Sequence, residues 1–100
     1  MSINPRMIQE MQNRLMQAQE ELAVAEVEGT AGGGMVLARV NGAKQVIAIK
    51  IAPEAVDPED VELLEDMILA ALNDAMANAE ELAAEKLGGI TGGIKIPGLM

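Results

Sequence analysis

The chain has 100 residues, a formal net charge of −9, and no cysteine, histidine, Phe, Tyr or Trp. Half of it is hydrophobic, drawn from Ala, Leu, Ile, Val and eight Met; such small side chains make a thin core, and a small chain with a thin core gains stability by oligomerising. Disulfides, thiolate nucleophiles and thiolate metal sites are excluded, and the only hydroxyls, Ser2, Thr30 and Thr91, have no base to activate them, so the chain reads as non-catalytic, with no cofactor and no small-molecule substrate.

Asn4 followed by Pro5 reads as the cap and first position of a helix. From there Ile8, Met11, Leu15, Ala18, Leu22 and Ala25 step by three and four. That spacing predicts a helix of about 22 residues with one apolar stripe. Val27 to Thr30 reads as a short strand, and Gly32-Gly33-Gly34 as a turn. The runs from Met35 to Val40 and from Val46 to Ile51 alternate as strands do, and Asn41-Gly42 between them suggests a tight hairpin. Pro53 to Val56 reads as a turn. Asp57-Pro58 then opens a second helix, which Gly88-Gly89 should stop after Leu87. The expected organisation is α+β: long helix, three-stranded antiparallel sheet, long helix over residues 1–87, with a Gly-rich, flexible tail over 88–100.

A second helix of about 30 residues would be about 45 Å long, whereas a compact domain of this size has a radius of gyration near 13 Å. Part of it must project beyond the sheet. If the two helices pack antiparallel, Arg6 and Arg14 meet Lys86 and Lys95 at the projecting tip, with Glu10, Glu81 and Glu85 close by. The acids of Glu54 to Asp66 stay near the sheet. A middle stretch, Gly29 to Pro53, holds Arg39, Lys44 and Lys50 and no acid. Charge screening over about 8 Å lets such patches act nearly independently. The N-terminus has no apolar signal core, and the longest apolar run is Met67 to Leu72, far short of the roughly 20 residues that span a bilayer. A soluble, cytoplasmic protein with no membrane partner is expected.

The acid-rich "EAVDPEDVELLED" lacks the glycine and ligand spacing of a calcium loop and reads as a helix start. "GTAGGGM" lacks the Gly-Lys-Ser/Thr end of a phosphate loop. Met7, Met11 and Met16 read as core filling before they read as an adaptable binding face. The absence of aromatic residues argues against single-strand binding by base stacking.

One stretch, "LEDMILAALNDA", Leu64 to Ala75, places Asn73 and Asp74 midway along a helix, where neither is a good helix former. It resembles the Leu-Glu-Asp…Ala-hydrophobic-Asn-Asp-Ala motif of the YbaB/EbfC family of bacterial nucleoid-associated proteins. "MIQEMQNRLMQAQEEL", "EVEGTAGGGMVLARVNG" and "IPGLM" are similar to that family's opening helix, central stretch and tail, so the likeness covers essentially the whole chain. The resemblance implies a tweezer-like homodimer whose projecting helix pairs embrace duplex DNA with weak or broad sequence preference. It also implies a place in the nucleoid and in gene regulation. On that basis Arg6, Arg14, Lys86 and Lys95 are the expected DNA contacts. Val46, Ile47, Ile49, Leu64, Ile68 and Asn73 are the expected dimer interface. Asn73 and Asp74 would sit where two chains, or helix and sheet, meet.

The chain departs from the family in its few cations. A dimer would carry eight at these positions against a total of −18, twice the −9 of one chain. Were all eight to meet phosphates, the salt dependence of binding would have a slope of about −7, and partial engagement would halve it. The acidic balance supports a rival reading: an acidic dimeric protein-interaction module, its Met-rich helices gripping a protein partner, associated with DNA only indirectly.

Overall fold

A computed structural model describes residues 4–90. The elements run α1 (Pro5–Val24), β1 (Glu26–Ala31), β2 (Val36–Asn41), β3 (Val46–Ile51), a 3-10 turn (Pro53–Ala55) and α2 (Val61–Ile90). The order is the α+β arrangement expected. Lys95 and the tail beyond residue 90 lie outside the described residues.

Asn4 caps α1 as its sequence suggests, its side chain accepting a hydrogen bond from the Arg6 amide at 3.0 Å. α1 ends at Val24 because Ala25 turns to an extended conformation. The three strands form an antiparallel meander in the order β1-β2-β3. Gly32, Gly33 and Gly34 all have positive φ in the first turn, a conformation that glycine adopts without a Cβ penalty.

The second turn is not the two-residue hairpin expected from Asn41-Gly42. It is a four-residue loop in which Lys44 takes the positive φ, 66°. Asn41 builds it: its side-chain oxygen accepts from the amides of Ala43 and Gln45, both at 2.9 Å. Gly42 is required for another reason. Its N–H donates to the carbonyls of Leu22 and Ala25 at 2.8 and 2.9 Å, and a Cβ there would sit 2.9 Å from Leu22 Cα. The glycine lets the hairpin cap the end of α1.

α2 also differs at both ends. Asp57 closes a turn, accepting from the Glu59 amide at 2.9 Å, and Asp60, three residues later, caps the helix through the Leu63 amide at 3.3 Å. At the other end α2 runs through Gly88-Gly89 to Ile90. Glycine permits a helix to stop but does not impose it.

One face of the sheet packs on α2. Val36, Ala38 and Val40 of β2 meet Ala71, Ala75 and Ala79 of α2, all six fully buried. Val27, Ala31, Ile49, Leu64, Met67, Ile68, Leu72 and Met76 surround them, half-buried. The alanines recur every fourth residue, one face of a helix. They bring the α2 backbone so near β1 that a Cβ on Gly29 would lie 2.5 Å from the Ala71 carbonyl oxygen. The core is thin, as composition predicts, and the molecule is long: 67 × 25 × 16 Å, with a radius of gyration of 18.5 Å. Its exposed surface of 7378 Å² exceeds the about 5,400 Å² of a compact monomer of this mass.

Candidate nucleic-acid interface

Six of the seven cations are described, and the fold divides them into two sets. Arg39 lies on the open face of the sheet, its guanidinium 3.1 Å from Glu28 and 3.6 Å from Glu26. Lys44 reaches from the hairpin to Glu80 of α2 at 2.7 Å. Lys86 pairs with Glu21 of α1 at 3.0 Å. Arg6, Arg14 and Lys50 form no ion pair among the described residues and are exposed. The Lys44 pair holds the Glu80 carboxyl below its usual range, first through the hydrogen bond and then through the charge of the ammonium.

The Lys86–Glu21 contact fixes where the helices meet. Lys86, near the end of α2, stands beside the last turns of α1, not beside its start. Arg14 lies seven residues from Glu21, about 10 Å along the helix, and Arg6 fifteen residues away, about 22 Å. The fold therefore does not gather Arg6, Arg14 and Lys86 at one point. Arg6 and Arg14 stand on the half of α1 that α2 leaves bare, where every described residue from Asn4 to Arg14 is exposed.

The polar pair in the middle of α2 has a structural answer. β1 is an edge strand. Asp74 accepts a hydrogen bond from the Thr30 amide at 3.0 Å, and Asn78 donates from its side-chain nitrogen to the Glu28 carbonyl at 2.7 Å. Two side chains one helical turn apart thus satisfy the free edge of β1, which would otherwise pair with another strand. Sequence reasoning found Asp74 but missed Asn78, although the four-residue spacing Asp74–Asn78 was the available signal. Asn73 points elsewhere; its side chain is exposed and makes no hydrogen bond among the described residues.

The other residues singled out fall in two groups. Val46 and Ile47, on the second edge strand, are 50% and 47% exposed. Ile49, Leu64 and Ile68 are half-buried between sheet and α2. Among the described residues no group of three or more acidic, His or Cys side chains could hold a metal ion, and no helix is long and apolar enough to cross a membrane.

A helix–meander–helix α+β protein, elongated and carrying on the exposed half of its first helix two arginines with no ion pair among the described residues, is the class that fold and charge define. The profile of the YbaB/EbfC DNA-binding family matches residues 3–94, and the chain belongs to that family. A "Nucleoid-associated protein" of Nocardia farcinica is 55% identical over 91 residues, 91% of this chain and 83% of that one. Another so named, from Pelotomaculum thermopropionicum, is 48% identical over 99% of this chain and 94% of its own length. The crystal structure of an uncharacterized protein from Helicobacter pylori shares the fold, with a TM-score of 0.77 over 91% of this chain and all of that one, at 22% identity.

Proposed function

We propose that this protein is a homodimeric, duplex DNA-binding component of the nucleoid, that it reads sequence weakly or broadly, and that it contributes to nucleoid organisation and gene regulation without catalysis. The observation that carries the reading is the division of the cations. Arg6 and Arg14 are left without carboxylate partners on the projecting half of α1, within a family of DNA-binding proteins. Unpaired cations gain by releasing the counterions condensed on DNA, whereas Lys86 would first have to leave Glu21. Arg39 is engaged in the same way by Glu26 and Glu28, so reading of base edges falls to Arg6 and Arg14. Lys95, outside the described residues, is kept as a further proposed contact.

The dimer is supported by thinness. A core of three β2 residues and three alanines leaves Val46, Ile47, Val56, Val61, Leu63 and Leu69 at 47–59% exposure. With the β1 edge closed by Asp74 and Asn78, β3 is the edge left for a partner, in line with Val46, Ile47 and Ile49 at the interface.

The test is fluorescence anisotropy of a labelled duplex a few turns long, at low and physiological salt, for the wild type and for Arg6→Gln/Arg14→Gln. Saturable binding that salt weakens and the double variant loses supports the reading. Binding retained by the variant moves the site, first to Lys50. No binding at low salt removes direct DNA contact and favours the acidic protein-interaction module.

A further inference from the structure

The three methionines of α1 do not fill a core, contrary to what the sequence suggested. The buried cluster is built from β2 and α2 and takes nothing from α1. Met7, Met11 and Met16 are 64%, 52% and 60% exposed, whereas Met35, Met67 and Met76, the other methionines among the described residues, are half-buried. Position round the helix then separates the three. Met7, Glu10, Met11 and Arg14 line one pocket. Met11 and Arg14 are three residues apart and Met7 and Met11 four, the two spacings at which helical side chains meet. Long side chains on a helix lean toward its N-terminus, so Arg14 leans over Met11 and Met11 over Met7. Met16, two residues from Arg14, faces another side of the helix. Arg14 forms no ion pair with Glu10 or with any other carboxylate among the described residues.

We propose that Met7 and Met11 form an oxidation site for peroxides, and that the sulfoxides made there hold Arg14 away from phosphate. The sulfur lone pair attacks one oxygen of hydrogen peroxide. The S–O bond forms as the O–O bond breaks, and the proton of the transferred hydroxyl leaves with the departing hydroxide as water. Sulfur loses two electrons and the peroxide gains them. A thioether is only a weak acceptor, and arginine carries five donors; the sulfoxide is polar and presents an oxygen. Oxidation therefore turns the pocket from apolar to polar, so that Glu10 and the sulfoxide hold the guanidinium together. Methionine sulfoxide reductases reverse the change. The consequence for DNA rests on the reading of Arg14 as a phosphate contact; the oxidation and its effect on Arg14 do not.

The test uses full-length protein and limiting hydrogen peroxide, with peptide mass spectrometry to follow each methionine and circular dichroism to check the fold. Met7, Met11 and Met16 should each gain one oxygen before Met35, Met67 or Met76. In the proposed dimer, loss of Arg14 from both chains leaves two of four arginine contacts, so the salt slope of duplex binding should fall from about −3.6 to about −1.8. Met7→Leu/Met11→Leu, oxidised at Met16, should keep the full slope, and Arg14→Gln should bind alike before and after peroxide. An unchanged slope in oxidised wild type, or an equal loss in the leucine variant, would overturn the proposal. The Arg14 side-chain N–H resonance decides the matter without DNA: it should move on oxidation of the wild type and stay in the leucine variant. A resonance that does not move would overturn the proposal, whereas one that moves in a protein without duplex affinity would overturn only the DNA reading.

Discussion

Two side chains, Asp74 and Asn78, do for β1 what a neighbouring strand would do, and their removal should be measurable. Each makes one hydrogen bond to an exposed strand edge. Asp74→Ala and Asn78→Ala should each lower the free energy of unfolding by about 1 kcal/mol, read from urea midpoints at unchanged slope. The helical context of Asp74 was legible in sequence, but its target was not, because Thr30 lies 44 residues away and only the tertiary fold brings it near. Glu80 is similar, since nothing local marks Lys44 as its partner. A carboxyl held below its ordinary value stabilises the fold above the ordinary glutamate range, and that contribution is lost as pH falls through the lowered value. NMR titration should place Glu80 below its usual range in the wild type and return it upward in Lys44→Gln.

At the scale of elements, the approach of α2 to the sheet is set by the absence of side chains. Gly29→Ala would force a methyl group against the Ala71 and Ala75 backbone and should cost about 3 kcal/mol or more. Gly33→Ala, at φ 69° but in open space, should cost only the left-handed penalty, about 1–2 kcal/mol. Thermal or urea denaturation of both separates contact from conformation. Element order was legible because apolar spacing changes from three-and-four to alternation and back, with Pro and Gly at the joints. The start of α2 was not, since Asp57 and Asp60 are both chemically able to cap and only backbone geometry chooses between them. Gly42 was correctly placed in a turn for the wrong reason: it makes room for Leu22.

The whole molecule is longer and more thinly cored than a compact chain of its mass, which is why a dimer is proposed. Ile47→Asp places a charge on the open edge strand, and it should convert the proposed dimer to monomer in sedimentation equilibrium while leaving the circular dichroism spectrum of the chain largely intact. The candidate site was partly legible at this scale. Length and chain direction predicted that the second helix projects and that its tip gathers Arg6, Arg14, Lys86 and Lys95, whereas Lys86 stands beside Glu21 and the exposed arginines lie on the first half of α1. The stagger that pairs Lys86 with Glu21 depends on how α2 seats on the sheet, which no local pattern encodes.

The most direct measurement is the salt dependence of duplex affinity. In the proposed dimer the two unpaired arginines of each chain would make four phosphate contacts, and the logarithm of the association constant should fall against the logarithm of salt with a slope of about −3.6. The slope should collapse, with most of the affinity, in Arg6→Gln/Arg14→Gln. A double variant with wild-type affinity and wild-type slope would contradict the account.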